Sequence, residues 1–153
     1  MRNTVALYCG TFNPFHIGHL NIVQKSLKIF DNLTVAFGHN PTKPQTDTVS
    51  RSEELKAKLE KLGIRCQVTV YSTFLHELIE EYENKGFEVV LIRGLRNGDD
   101  LDYEDNQLKY IRDFKKDINV VFIRCDEEYE HISSSSIRSL ESFRPGSAKK
   151  YLL

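Results

Sequence analysis

This sequence has no large excess of charge of either sign, because its 21 basic and 22 acidic residues leave a formal net charge of −1. A chain so balanced offers no bulk attraction to nucleic acid or to a membrane surface. Long apolar runs are missing as well, so no segment is long enough to span a bilayer. The first residues lack the charged region and long apolar core of a secretion signal. We therefore expect a cytoplasmic protein with one domain over residues 1–153, and with neither nucleic acid nor a membrane as a partner.

Cysteine is also scarce, with only three in the chain. Cys9, Cys66 and Cys125 are widely spaced, form no C-x-x-C pair and each adjoin a strand-like apolar run. An odd number at such spacing favours neither a metal site nor a disulfide framework. We predict buried, reduced thiols, as is usual in a cytoplasmic protein.

Apolar patterns predict strands that alternate with helices. The predicted strands are Thr4–Cys9, Leu33–Phe37, Cys66–Tyr71, Val89–Ile92 and Asn119–Ile123. The predicted helices are Ile17–Phe30, one from a capping box of Ser50 and Glu53 to about Leu62, Thr73–Asn84, about Leu101–Phe114, and one that opens near Ser134. The loop His39–Thr48 carries two prolines and is expected to be irregular. This alternation predicts an α/β fold, a Rossmann-like, doubly wound, five-stranded parallel sheet with helices on both faces.

The residues that could carry chemistry follow the ends of the predicted strands. After strands one to five, in turn, come Gly10–His19, Lys43, Ser72–Leu75, Arg93–Arg96 and Arg124–Ser135. The carboxyl ends of parallel strands share one edge of a sheet, and ligands bind there where the strand order reverses. The sequence therefore predicts that these stretches form one site.

The stretch Cys9–Leu20 indicates a strand end, a tight Gly/Pro turn and a helix start. Gly10 and Gly18 would let the backbone approach a ligand closely. The free N–H groups and positive dipole end of a helix N-terminus suit a phosphate. His16 and His19 are three residues apart, so they can share one face of the first helical turn. This arrangement predicts a phosphate-handling site.

Three motifs carry a family resemblance. The run Gly10–His19 resembles the G-T-F-x-P-x-H-x-G-H signature of the nucleotidylyltransferase superfamily. Ile132–Arg138 resembles that superfamily's I-S-S-[ST]-x-[IVL]-[RK] motif. Leu91–Arg96, followed by Asp102–Glu104, is similar to the bacterial phosphopantetheine adenylyltransferases in particular. The resemblance implies a single nucleotidylyltransferase domain that moves the adenylyl group of ATP to 4'-phosphopantetheine, yielding dephospho-coenzyme A and pyrophosphate. It also implies Mg²⁺ bound mainly through the ATP phosphates, and a homo-hexamer.

The resemblance implies roles for individual residues. His19 would stabilise the pentavalent phosphate, with Lys43 and Arg93 as further catalytic residues that bind the acceptor phosphate. Thr11 would contact both substrates, and Leu75 would line the pantetheine arm. No side chain is expected to ligate a metal. The residues implied to bind the nucleotide are Gly10, Thr11, Phe12, His16, Gly18, His19, Gly94, Leu95, Arg96, Glu104, Tyr129, Glu130, His131, Ile132, Ser133, Ser134 and Ser135.

Physical chemistry supports parts of this assignment independently. No nucleophile with an orienting triad is found, and none is needed if a substrate phosphate attacks the α-phosphate of ATP, since its second pKa is about 6. Catalysis then reduces to in-line positioning and charge neutralisation. Arg93 closes an apolar strand, where a buried arginine requires an anion. The serines before the last helix would bind the β- and γ-phosphates at its N-terminus.

Two positions depart from the subfamily pattern, since His16 replaces a threonine and Asn13 replaces an aspartate. Related nucleotidylyltransferases carry histidine at the first of these positions. Adenylyl transfer to nicotinate or nicotinamide mononucleotide is therefore an alternative, and a catalytically silent nucleotide-binding regulatory module is the alternative of another class. Arg51 is given no role, and Arg138 is either part of the anion site or a surface charge.

Overall fold

A computed structural model describes residues 3–42 and 45–153 of the chain. Within these residues five strands alternate with five α-helices. The strands are β1 (Asn3–Gly10), β2 (Leu33–Gly38), β3 (Gln67–Tyr71), β4 (Phe87–Leu95) and β5 (Asn119–Arg124). The helices are α1 (Ile17–Leu27), α2 (Gln45–Lys61), α3 (Leu75–Asn84), α4 (Gly98–Phe114) and α5 (Ser134–Phe143), with short 3₁₀ turns at Glu127–Tyr129 and Lys149–Tyr151.

All five strands are parallel and lie in the order β3-β2-β1-β4-β5. The chain builds the sheet outward from β1 to β3 and then returns to the other side of β1 to add β4 and β5. The strand order therefore reverses between β1 and β4, and the crevice at their carboxyl ends is where such a sheet binds ligands. The predicted doubly wound parallel sheet is confirmed.

The core lies on both faces of the sheet because β1 alternates between them. Ala6 and Tyr8 pack into a cluster with residues of α1 and α2. Leu7 and Cys9 pack into a second cluster with residues of α3 and α4. A strand buried on both faces has no polar side, which accounts for the unbroken apolar run in the sequence.

The helix α2 begins at Gln45, so the predicted start at a capping box of Ser50 and Glu53 is wrong. The irregular stretch after β2 is correspondingly shorter than the predicted His39–Thr48. Tertiary contacts support the earlier start, because buried Thr48 hydrogen-bonds His39 at 2.9 Å through its hydroxyl. Threonine has only a modest helix propensity, and here its side chain is held by a partner outside the helix.

The bounds of β4 and α4 also differ from the prediction. The strand β4 continues past Ile92 to Leu95, so Arg93 lies inside the strand and does not close it. The helix α4 begins at Gly98 and not near Leu101, because the Asn97 side chain accepts the Asp100 N–H and caps the helix. Asn followed by Gly indicates a turn, but asparagine is equally a preferred N-cap.

All three cysteines are free thiols. Cys9 and Cys125 are buried as predicted, whereas Cys66 is only half-buried. Throughout residues 3–42 and 45–153, no helix is both long and apolar enough to cross a membrane.

Candidate functional site

A cavity of about 490 Å³ opens at the carboxyl edge of β1 and β4, where the strand order reverses. Its walls come from the turn after β1, the first turn of α1, the end of β4, the first turns of α4 and the loop before α5. Of the residues implied by the sequence, those that line it are Gly10, Thr11, Phe12, His16, Gly18, His19, Arg93, Gly94, Leu95, Arg96, Glu104, Tyr129, Ile132, Ser133 and Ser134.

The turn after β1 is held by the ring of Phe12. This residue has a φ of 47° and is only 4% exposed. Its ring packs against Tyr8 at 5.1 Å and Phe37 at 5.2 Å between centroids. A left-handed backbone at a bulky residue is uncommon and persists only where the surroundings fix it. The aromatic packing therefore fixes the turn that carries Thr11 into the cavity.

Two arginines from distant elements hold the same turn from outside. Arg51 of α2 donates to the carbonyl of Thr11 at 3.4 Å, and it pairs with Asp47 one turn earlier. Arg138 of α5 donates to the carbonyl of Asn13. Both arginines therefore contact the backbone of the turn. Arg138 thus lies next to the site, and Arg51 makes a contact that sequence reasoning missed.

Gly10 and Gly18 are required by internal packing. A Cβ at Gly10 would lie 3.0 Å from the Phe12 ring, and a Cβ at Gly18 would lie 2.9 Å from Cε1 of His16. Any side chain at either position would push an aromatic ring that lines the cavity. The sequence prediction attributed these glycines to close approach of a ligand, and the structure adds neighbouring rings as a second reason for glycine at both positions.

The two histidines stack, and their protonation is fixed by the backbone. Their ring centroids are 3.7 Å apart. Nδ1 of His16 accepts the Gly18 N–H at 3.1 Å, and Nδ1 of His19 accepts the His16 N–H at 3.1 Å. A nitrogen that accepts a hydrogen bond carries no proton, so each neutral ring keeps its proton on Nε2. Both rings therefore offer an Nε2–H donor.

Both rings are neutral near pH 7. Burial, followed by the Arg96 charge, lowers the pKa of His16 to about 4. Burial, followed by the charges of His16 and Arg96, holds the pKa of His19 well below its usual value. Desolvation disfavours the charged form of an imidazole, and two stacked imidazolium rings would also repel. The pair is thus a set of neutral donors and not a pair of cations.

We expect the protein to lose stability as the pH falls from 6.5 towards about 4. In this window the His16 ring of the unfolded chain is protonated while the buried ring is not, so the unfolded state binds more protons and the free energy of unfolding falls. Urea unfolding at a series of pH values measures this slope. The variant His16→Gln should reduce it, and His131→Gln, at an exposed position outside the cavity, should not. Equal slopes for wild type and His16→Gln would contradict the assignment.

The site arginines each face a carboxylate on α4. Nε of Arg93 lies 3.3 Å from Oε2 of Glu104, yet it is buried without a hydrogen-bond partner because the angles are poor. Arg96 forms a bidentate pair with Asp100, with Nε to Oδ2 at 3.0 Å and Nη2 to Oδ1 at 3.1 Å. The anion expected beside Arg93 is thus partly supplied by the chain itself. The Arg93 side chain nevertheless lines the cavity, where a guanidinium suits a further anion.

Two opposing effects act on the pKa of Glu104. Burial raises its pKa, and the Arg93 charge opposes that effect. The backbone N–H of Arg96 also donates to Asp100, and these hydrogen bonds lower the pKa of Asp100 against the effect of its burial. The two carboxylates therefore differ in the direction of their pKa shifts, since burial prevails at Glu104 and hydrogen bonds prevail at Asp100.

The serine motif caps α5 towards the cavity. The Ser133 hydroxyl accepts the Ser136 N–H at 3.1 Å, and the Ser134 hydroxyl donates to the carbonyl of Pro14 at 2.8 Å. The first N–H groups of a helix have no backbone partner within it, so the amides of Ser134 and Ser135 remain available to an anion, whereas that of Ser136 is capped. The motif therefore joins α5 to the turn after β1.

Some residues implied by the sequence lie elsewhere. Leu75 packs in the core cluster beneath α3 and α4. Glu130 pairs with Arg124 at 2.5 Å, and His131 faces a separate groove. Ser135 is exposed and contacts Ser133. Lys43 lies outside the described residues.

Six further cavity residues were given no role by sequence reasoning, although Tyr103 and Cys125 lie in stretches that it singled out. They are Tyr8, Cys9, Ile22, Asp100, Tyr103 and Cys125. Asp100 had a signal, since an acid four residues after Arg96 on a helix start can pair with it. The apolar members had none, because core strand and helix residues look the same whether or not they border a cavity.

No group of three or more His, Cys, Asp and Glu side chains could hold a metal ion in the part of the chain that the structure describes. The site's carboxylates are Asp100 and Glu104, and both face arginines. Its histidines offer nitrogen, whereas Mg²⁺ prefers oxygen ligands. The donor set therefore suits anionic groups, and it suits Mg²⁺ only where phosphates carry the ion.

Comparison with known proteins agrees with this geometry. The model of the family described as cytidylyltransferase-like matches residues 7–140. A phosphopantetheine adenylyltransferase of Porphyromonas gingivalis is 32% identical over 143 residues, which cover 94% of this chain and 90% of that protein. One of Streptococcus gordonii is 30% identical over 145 residues, covering 94% and 86%.

Solved structures share the fold. A bifunctional NMN adenylyltransferase/ADP ribose pyrophosphatase of Francisella tularensis superposes with a TM-score of 0.69 and 14% identity over 98% of this chain and 45% of that one. The nicotinic acid mononucleotide adenylyltransferase of Plasmodium falciparum gives a TM-score of 0.67 and 12% identity over 99% and 90%. At such identities the likeness concerns the fold alone.

Proposed function

The chain belongs to the cytidylyltransferase-like family and groups there with the phosphopantetheine adenylyltransferases, and on that premise we propose that it transfers the adenylyl group of ATP to 4'-phosphopantetheine. The products are dephospho-coenzyme A and pyrophosphate. The observation that carries the proposal is the set of hydrogen-bond donors at the place where the strand order reverses. Two neutral histidines, two arginines and the start of α5 face one cavity at the carboxyl edge of the sheet.

The reaction needs no protein nucleophile. An oxygen of the acceptor's phosphate attacks the α-phosphorus of ATP and forms a new P–O–P bond. The bond between the α-phosphorus and the bridging oxygen to the β-phosphate breaks, and pyrophosphate leaves with that electron pair. The enzyme must align the two phosphates and stabilise the charge on the transferring group.

His19 is the residue we assign to the transferring phosphoryl group. Its Nδ1 is occupied by a backbone N–H, so its Nε2–H is the donor left for a phosphate oxygen. The neutral ring keeps this Nε2 proton near pH 7, so the donor is present whether or not substrates are bound. A fixed donor in a desolvated site stabilises developing charge without reorganisation.

Arg93 and Lys43 are assigned to the acceptor's phosphate, and Thr11 lies between the two substrates. Arg93 offers a guanidinium that lines the cavity. Arg96, Ser133 and Ser134 would contact the nucleotide's phosphates together with the α5 amides. Mg²⁺, carried by those phosphates, would neutralise charge on the leaving pyrophosphate.

One observation favours a second acceptor. His16 adds a donor beside His19, where the subfamily usually has threonine, and this His-x-Gly-His form is the one carried by related nucleotidylyltransferases. Transfer to nicotinate or nicotinamide mononucleotide is therefore the alternative. A silent regulatory module is less well supported, because a chain released from catalysis need not keep His19, Arg93 and the α5 cap in one cavity.

Other expectations stay predictions from the sequence. These are the homo-oligomeric assembly, a hexamer by resemblance, the cytoplasmic location, the single domain over residues 1–153, and the lack of nucleic-acid or membrane partners.

Release of pyrophosphate tests the proposal. The protein is incubated with ATP, Mg²⁺ and one acceptor at a time, with a reaction lacking acceptor as the control. We expect release with 4'-phosphopantetheine and little with either mononucleotide. Release with a mononucleotide alone would select the alternative, and none with any acceptor would select the silent module.

A further inference from the structure

A reciprocal hydrogen-bonded pair joins α1 to the loop after β5. Nδ2 of Asn21 donates to Oδ2 of Asp126 at 2.9 Å, and the backbone N–H of Asp126 donates to Oδ1 of Asn21 at 2.8 Å. The two residues are 105 positions apart, and Asn21 is only 8% exposed. An asparagine so placed uses both its donor and its acceptor on a single partner, which fixes the partner's side chain and backbone together.

Lys25, one helical turn after Asn21, adds to the contact. Its Nζ donates to Oδ1 of Asp126 at 2.9 Å and to the carbonyl of Arg124 at 2.6 Å. We call the three residues Asn21, Lys25 and Asp126 the α1 clamp. Each oxygen of the Asp126 carboxylate thus has its own donor, so the loop has one favoured position against α1.

The clamped loop forms a wall of the cavity. The carbonyl of Asp126 accepts the Tyr129 N–H at 2.9 Å, and the Cys125 N–H donates to the carbonyl of Leu95 at 2.8 Å. Both Cys125 and Tyr129 line the cavity. The position of this wall therefore depends on Asp126, which lies between them in the chain.

The helix side of the clamp also belongs to the site. Asn21 follows His19 by two residues on α1, and a Cβ at Gly18 would lie 3.8 Å from Cβ of Tyr129. The clamp thus sets the spacing between the histidine side of the cavity and the loop side. A shift of the loop at Tyr129 would change that spacing, while the hydrogen bond from Cys125 to Leu95 holds the other end of the wall to β4.

We propose that Asn21 and Asp126 are positioning residues for the nucleotide, which act by holding the Cys125–Tyr129 wall against the histidine side of the cavity. This inference rests on the proposed function for the identity of the nucleotide. Neither residue lines the cavity. The clamp should act on ATP and not on the acceptor, because the proposed function assigns Tyr129, on the wall that it holds, to the nucleotide.

The exchange of the two side-chain types tests the clamp. Asn21→Asp removes the Nδ2 donor and places two carboxylates next to each other. Asp126→Asn places an amide donor opposite the donor of either Asn21 or Lys25. The double variant Asn21→Asp/Asp126→Asn restores every pairing: the carboxylate at position 21 accepts the amide and the backbone N–H, and the amide oxygen accepts Lys25. The double variant also keeps the net charge. Asp31→Asn, at an exposed position in the turn after α1, is the control for loss of one charge.

Calorimetric titration with ATP and steady-state kinetics with both substrates give the readout. Each single variant should raise the dissociation constant for ATP about five- to tenfold, the range expected for a lost hydrogen bond. The double variant should return it to near the wild-type value. The KM for the acceptor and kcat at saturating ATP should stay near wild type in all of them, which a general loss of structure would not allow.

Other outcomes overturn the inference. One is an unchanged ATP dissociation constant in both folded single variants. A second is a double variant that binds ATP as weakly as the single variants do. A third is a parallel rise in the KM for both substrates. If a single variant does not fold, the double variant and the other single decide the question. Wild-type protein that binds ATP but releases no pyrophosphate with any acceptor would defeat the proposed function and leave the clamp testable by the ATP titration alone.

Discussion

Replacing His19 with alanine should lower kcat by roughly a hundred- to a thousandfold, because a preorganised donor to developing charge is worth about 2.7–4 kcal/mol. The dissociation constant for ATP should change little, since the arginines and the start of α5 hold the nucleotide's phosphates. Single-turnover kinetics together with calorimetric titration separate the two effects.

The ring's hydrogen bonds suggest a sharper comparison. Because Nδ1 of His19 accepts a backbone N–H, the group that matters for catalysis is Nε2–H. His19→Gln places an amide donor near that position and should recover part of the lost rate, whereas His131→Ala should leave kcat unchanged. A His19→Ala enzyme with near-normal turnover, or one that loses ATP affinity as much as rate, would contradict the role.

Replacing Arg93 with alanine should raise the KM for 4'-phosphopantetheine and lower kcat, by a combined factor of about 10 to 100 in kcat/KM, the range for a hydrogen bond to a charged group. The guanidinium lines the cavity, where it would donate to the acceptor's phosphate. ATP affinity should hardly change, because Arg96 and the serine motif lie elsewhere around the cavity. Titrations with each substrate separately provide the measurement.

The partner of Arg93 calls for a control. Truncation leaves the Glu104 carboxylate half-buried without its cation, and burial already raises the pKa of that carboxyl. The double variant Arg93→Ala/Glu104→Gln removes this orphaned charge. If the acceptor's KM returns to normal in the double variant, the effect of Arg93 comes from Glu104 and not from substrate. If ATP affinity collapses while acceptor affinity survives, Arg93 belongs to the nucleotide side.

The sheet could be predicted from sequence because its signals are strong and local. Val5, Leu7 and their neighbours form an unbroken apolar run, which indicates a strand buried on both faces. Helix starts were less predictable. Asn97 serves equally as a turn residue or a cap, and the early start of α2 depends on the contact between Thr48 and His39, which joins two elements.

The site could be predicted in outline, since chemistry-bearing residues follow successive strands of a parallel sheet. What could not be predicted depends on three-dimensional partners. No pattern in the sequence shows that His16 and His19 stack with both Nδ1 atoms occupied, or that burial makes them neutral. The contacts of Arg51 and Asn21 join positions far apart in the chain, so only the fold reveals them.

A competition between acceptors tests the central claim most directly. Wild-type protein receives ATP, Mg²⁺ and equal concentrations of 4'-phosphopantetheine, nicotinate mononucleotide and nicotinamide mononucleotide, and mass spectrometry identifies the products. The proposed function predicts dephospho-coenzyme A as the dominant product, formed in step with pyrophosphate. A dinucleotide of nicotinate or nicotinamide as the dominant product would contradict it.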